Sequence, residues 1–265
     1  MLINTTAKRV MFMFMFMLIL SSSSLFANEF SFRKYNHVKK FYEANSMEAI
    51  KVANKYKLPP AALLAIAGLE SGYGRGYVAQ ITGNILSLGA FKNDKELPGL
   101  YLPYSKSEKK VIFDPNEIKK HTKSDLVWKK RPKSLKRDYR PAPYAGTTKK
   151  LELLTYDKNL KHSSRMACYN DFATRWIINT SKVKAFKEAR IWLDKLVDKH
   201  GKKILFTKEV NMEFISKIGG HPRSFNYREA WPKKAKLIMK KVGLIRLTND
   251  IQFKAMNFDS AWRSI

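Results

Sequence analysis

Among the carboxylates of this 265-residue chain, Glu70 is the one placed for proton chemistry. It lies near the end of the apolar part of residues 59–76 (PPAALLAIAGLESGYGRG), where a helix delivers a single acid to its own last turn and then breaks at Gly72, Gly74 and Gly76. A carboxyl at such a boundary is sheltered by helix on one side and open to a cleft on the other. That setting raises its pKa and suits it to general-acid work. A negative charge near a helix C-terminus is mildly unfavourable, and an unfavourable placement calls for a functional explanation. The chemistry that uses a donor of this kind is cleavage of a glycosidic bond. It ordinarily takes a second carboxylate across the sugar, about 5 Å away for double displacement or about 6.5–9.5 Å for direct attack by water.

Other reactive groups offer less. His37, His121, His162, His200 and His221 show no metal-ligand spacing and the single cysteine joins none of them, so neither a metal site nor a cofactor is expected. Cys168, flanked by Ala167 and Tyr169, reads as a buried small residue, and no intramolecular disulfide can form. Ser71 lacks the strand-to-helix elbow of a serine nucleophile.

The elements that must position Glu70 follow from the apolar periodicity. Residues 37–57 place Phe41, Ala44, Met47, Ile50, Val52, Ala53 and Tyr56 mostly three or four apart, which predicts one or two amphipathic helices, with Ser46 as a restart. Pro60 suits the first turn of the next helix, over residues 61–69, because its missing N–H costs nothing there. Residues 82–90 (TGNILSLGA) predict a turn with a strand or extended loop, and residues 151–169 alternate loosely around Lys158 and Asn159, which predicts a β-hairpin. Helical spacing returns at 172–179, 183–197, 209–217 and 226–242, the last with Pro232 in its first turn. The expected fold is mainly α with a small β-hairpin lobe. The tail from residue 248 onward carries no clear pattern.

Residues 105–150 hold 15 Lys or Arg against 5 Asp or Glu, with Pro132, Pro141 and Pro143 set among Trp128, Tyr139 and Tyr144. We read a basic insertion at about 95–150, either a solvated loop or an arm that contacts glycan. At the N-terminus, Lys8 and Arg9 precede the apolar run 10–20 and then SSSSLFA at 21–27, the layout of a signal peptide removed after Ala27. The run falls short of the roughly 20 apolar residues of a spanning helix, so no stable membrane anchor is expected. Residues 28–265 then form one catalytic domain, expected to be monomeric and exported to the periplasm or beyond the cell.

The net charge of +29, or +27 once Lys8 and Arg9 are lost, demands an anionic partner. Nucleic acid would be the partner inside a cell. For an exported chain the candidates are cell-wall carboxylates, anionic wall polymers and membrane headgroups, with charge supplying attraction and on-rate more than specificity. A non-catalytic basic binder of the cell wall is the alternative from another class.

Residues 62–75 (ALLAIAGLESGYGR), followed by Gly83-Asn84-Ile85-Leu86-Ser87-Leu88-Gly89, resemble the bacterial glucosaminidase family of peptidoglycan hydrolases. Residues 169–190 and Tyr227 resemble that family's later helices, so the likeness covers about 40–92 and 151–243 and leaves most of 95–150 outside. The resemblance implies a lysozyme-like helical domain that hydrolyses peptidoglycan glycan strands as an endo-acting β-N-acetylglucosaminidase. It implies Glu70 as the acid that protonates the leaving oxygen, Tyr227 as an assisting group, and Tyr73 and Asn84 as sugar contacts. It places the second carboxylate in a Thr-x-Glu-like context of the hairpin. Asp157 in Thr155-Tyr156-Asp157 is the nearest match, one methylene shorter than Glu, while Glu152 and Glu108 stay open as alternatives. A muramidase or lytic transglycosylase of the same fold also fits, although the Gly-Leu-Met-Gln sequence of many transglycosylases does not follow Glu70.

Overall fold

The computed structural model describes residues 29–89, 101–112, 115–130, 158–178 and 183–264. Its elements are, in chain order, α1 (Asn36–Glu43), α2 (Ser46–Tyr56), α3 (Pro60–Ser71), α4 (Tyr77–Thr82), β1 (Tyr101–Ser105), β2 (Lys110–Val111), the single turn α5 (Pro115–Ile118) and β3 (Leu126–Lys130). Helix α6 (Lys158–Asp171) then runs into a π-helical stretch (Phe172–Ile178). The chain continues through α7 (Lys184–His200), a 3₁₀ turn (Lys202–Phe206), α8 (Lys208–Ile218), α9 (Ala230–Val242), α10 (Leu244–Phe253) and α11 (Phe258–Arg263). The fold is mainly helical with one small sheet, as the sequence leads one to expect.

Helix α3 is the axis of the domain. Every residue from Pro60 to Gly68 is buried, so it has no solvent face, and a helix apolar on all sides must be wrapped by others. Helices α2, α8, α9 and α10 all pack on it. Leu63, Leu64 and Ile66 are fully buried, each contributing about 1.5–3 kcal/mol of burial. A helix sealed in this way cannot leave its first N–H groups to water. Asn211, itself fully buried on α8, accepts the Ala62 N–H at Oδ1 (2.8 Å) and donates through Nδ2 to the carbonyls of Leu205 (2.9 Å) and Thr207 (2.7 Å). One amide thus ties the start of α3 to the 3₁₀ turn and to α8.

Two expectations are corrected. Residues 158–169 form the body of α6 rather than a hairpin arm, because the apolar positions there match a helical face as well as a strand. The sheet lies instead in the basic stretch, antiparallel in the order β2-β1-β3, with Tyr104 opposite both Val111 and Val127. Its polar hub is Asp125, which accepts from Ser105 Oγ (2.7 Å), the Ser107 N–H (2.8 Å) and His121 Nδ1 (2.7 Å). These donors hold its carboxyl well below the usual range. Residues 248–264 supply most of α10 and all of α11. Among the described residues no helix is long and apolar enough to cross a membrane.

Replacing Asn211 by Leu keeps the volume but strips the Ala62 N–H and the Leu205 carbonyl of that partner. The expected loss is about 3 kcal/mol. In urea it appears as a lower midpoint with an unchanged slope.

Candidate active site

Glu70 lies in the last turn of α3, half-buried. The helix stops two residues later because Gly72 adopts φ +56°, a left-handed conformation that costs glycine nothing. The Tyr73 N–H then reaches back to the Gly68 carbonyl at 2.9 Å. Ser71 Oγ accepts the Gly74 N–H at 2.8 Å, so the glycine-rich exit is tied to the helix it leaves.

The carboxylate meets a second element from far along the chain. Trp231, in the first turn of α9, donates its indole Nε1–H to Glu70 Oε1 at 2.6 Å. A buried indole N–H requires an acceptor, and here the acceptor is the candidate acid itself. The ring can lie there because residue 219 is glycine: a Cβ at that position would stand 2.2 Å from Trp231 Cε3. Phe225 braces the same ring at 5.6 Å between centroids and is itself packed edge-on by Phe172 and Trp176.

The side chains of Asn226 and Ser87 also bond to Glu70, and the Arg228 cation acts on it through space. Ser87 comes from the loop after α4. Asn84 closes that loop, accepting the Leu88 N–H at Oδ1 (2.9 Å) and donating Nδ2–H to the Leu88 carbonyl (3.0 Å). Ser87 is thereby held with Oγ 3.3 Å from the Glu70 carbonyl.

Burial is the largest influence on Glu70 and pushes its carboxyl above the ordinary 4.5. The donors from Trp231, Asn226 and Ser87, together with the charge of Arg228, pull the other way, and burial wins. The result is an oriented carboxyl that keeps its proton to higher pH than a free one.

The other expected site residues divide. Tyr227 is 69% exposed and stands in the chain between Asn226 and Arg228, both of which act on Glu70. Tyr73 packs its ring among His37, Phe41 and Tyr42. Burial pushes its hydroxyl up to about 12. Asn84 is buried and uses its amide to shape the loop that carries Ser87. Asp157 and Glu152 lie outside the described residues. Glu108 sits in the β1–β2 turn, paired with Lys110 at 2.7 Å and 3.6 Å from His121 Nε2. Among the described residues no group of His, Cys, Asp or Glu is arranged to hold a metal ion.

Trp231, Asn226, Ser87 and Arg228 are the partners that sequence reasoning did not assign. Ser87 and Asn226 stood inside segments already singled out, and Trp231 carried the one signal available, an indole on a core-facing helical position that would need an acceptor.

No protein-family model matches this chain, and no curated protein sequence matches it. Among solved structures it is similar to the catalytic domain of the autolysin Auto from Listeria monocytogenes, at 14% identity over 80% of this chain and 88% of that one, with a TM-score of 0.41.

Two outcomes follow from this geometry. Because the folded Glu70 binds its proton more tightly than the unfolded one, it contributes stability that is present in acid and lost as pH rises from 4.5 through the raised value. Glu70→Gln, which still accepts the Trp231 N–H, is therefore expected to gain stability over the wild type at pH 7 but not at pH 4, as measured by urea unfolding at both. Gly219→Ala is expected to displace the Trp231 ring from Glu70, seen as a change in indole fluorescence.

Proposed function

We propose that this protein is an endo-acting β-N-acetylglucosaminidase that hydrolyses the glycan strands of peptidoglycan, with Glu70 as general acid. The observation that carries the reading is the Glu70 carboxyl itself, kept proton-retaining by burial and oriented by the Trp231 indole at the mouth of α3. The resemblance of residues 62–75 and 83–89 to the glucosaminidase pattern supports the same assignment. With Oε1 accepting the indole N–H, Oε2 is the seat of the acidic proton. That proton passes to the glycosidic oxygen as its bond to the anomeric carbon breaks, and water supplies the new hydroxyl on that carbon, its other proton making good the one that Glu70 gave up. Tyr227 offers an exposed ring on which a pyranose can stack beside Glu70. In this reading Asp157 or Glu152 supplies the second carboxylate, the chain is exported, it works as a monomer, and its positive charge draws it to anionic wall polymers.

A second reading has one specific observation in its favour. Every described group that acts on Glu70 from beyond its own helix is a hydrogen-bond donor or a cation. A lytic transglycosylase needs one acid held by partners of this kind and no second carboxylate. Mass spectrometry of the released fragments separates the two, because hydrolysis adds one water and transglycosylation leaves an anhydro sugar.

Glu70→Gln is expected to lower release of reducing ends from purified cell walls by about 100-fold or more, with the fold intact by circular dichroism. Full activity in that variant would refute the assignment. Asp157→Asn and Glu152→Gln, assayed side by side, identify the second carboxylate. If neither falls by more than about tenfold, about 1.4 kcal/mol of barrier, neither is that residue.

A further inference from the structure

Arg228 has no part in the chemistry just described and works against it. A cation beside a general acid favours the ionised form, which is the wrong form for protonating a leaving group. Its position is nonetheless closely defined. The Arg228 N–H donates to Asn226 Oδ1 at 3.2 Å, and the Arg228 carbonyl accepts the Trp231 N–H at 2.9 Å. Asn226 and Trp231 are two of the groups whose side chains hold Glu70. The root of the arginine is thus clamped between the holders of the acid.

Its guanidinium is exposed and forms no ion pair with any of the described residues, Glu229 beside it included. Surface charge alone does not require this arrangement, since a chain with 51 Lys and Arg has cations to spare elsewhere. A planar guanidinium fork is matched to a carboxylate, which it takes through two parallel N–H bonds.

We infer that Arg228 is the specificity-determining residue of this site, taking a carboxylate that the glycan strand carries next to the bond to be cut. The inference rests on the reading of Glu70 as general acid and narrows its substrate to a glycan bearing carboxylates, as peptide-substituted wall strands do and plain chitin does not. Docking of the carboxylate neutralises the cation that draws the proton from Glu70. The acid then keeps its proton to higher pH when the charged strand is in place than when a neutral glycan is bound.

The test compares wild type, Arg228→Gln and Arg228→Lys on purified glycan strands and on the same strands with their carboxylates capped as methylamides. The wild type is expected to prefer uncapped strands about tenfold in kcat/KM, and Arg228→Gln to bring that ratio close to one. On capped strands the alkaline limb of kcat/KM should move to higher pH in Arg228→Gln, because Glu70 then keeps its proton longer. Arg228→Lys, which retains the charge, should leave the limb in place. A purely structural role would move neither the ratio nor the limb. The inference is overturned if wild type and Arg228→Gln cut the strands with the same preference for uncapped substrate, or if the wild type shows none. Failure of the wild type to cut either form overturns the general-acid reading, and this inference with it.

Discussion

The hydrogen bond from the Trp231 indole to Glu70 is the joint on which the site depends. It links residues 161 apart in sequence and brings the exit of one helix to the entrance of another. Each side requires its own preparation. Helix α3 must end within a residue or two of Glu70, which Gly72 accomplishes, and α8 must end in a residue without a side chain, which Gly219 provides. The loop between α8 and α9 is pinned by the Phe225 N–H on the Ile218 carbonyl and the Gly220 N–H on the Asn226 carbonyl, both at 2.7 Å. A looser loop would leave both Asn226 and Trp231 free to swing away from the acid.

The joint also sets an electrostatic balance. Glu70 occupies the negative end of α3, and the helix dipole adds to burial in opposing ionisation. Trp231 approaches from the first turn of α9, the positive end of its helix, and brings a donor with it. A carboxyl with burial alone would be acidic but free to rotate, while one with donors alone would be fixed but ionised. The observed site combines the two, with burial as the larger influence. The combination keeps a carboxyl proton-retaining and oriented in one structure.

What was legible in the sequence tracks how local each signal is. Helix α3 could be read directly, because Pro60 opens it, nine residues without a polar group fill it, and glycine closes it. Glu70 stood out through its awkward placement. The second half of the site was hidden by distance, since nothing near Trp231 in sequence says that its indole faces α3. The stretch at 151–169 looked like a strand pair because its apolar residues are too few to fix a period, and residues 158–169 took the helix that then continues as a π-helix. Strand β1 was obscured by Pro103, and the edge strands β2 and β3 by lysines, which a small exposed sheet accommodates along its edges. Across the start of the tail, Leu244, Leu247, Thr248 and Ile251 do follow a helical spacing, yet the helix they belong to packs on α3 and α2, partners that the local sequence does not reveal.

The rigidity of α9 has a source at its other end. The terminal carbonyls of a helix lack intrahelical donors, and α9 terminates inside the protein. Arg33, ahead of α1 and buried, donates Nε–H to the Val242 carbonyl at 2.8 Å and Nη2–H to that of Gly243 at 3.4 Å. Its Nη1 reaches the carbonyls of Ala261, Trp262 and Ser264, which draws α11 onto the same guanidinium. Burial, and next the charge of Arg246, draw the Arg33 pKa down to about 10, which still leaves a full cation at neutral pH. A cation suits the negative end of a helix, and five donors in a fixed plane satisfy more carbonyls than any other side chain. With its C-terminus held by Arg33 and its first turn bound to Glu70, α9 is fixed at both ends. A helix fixed in this way cannot slide along α3, so the Trp231 indole stays where it orients the acid.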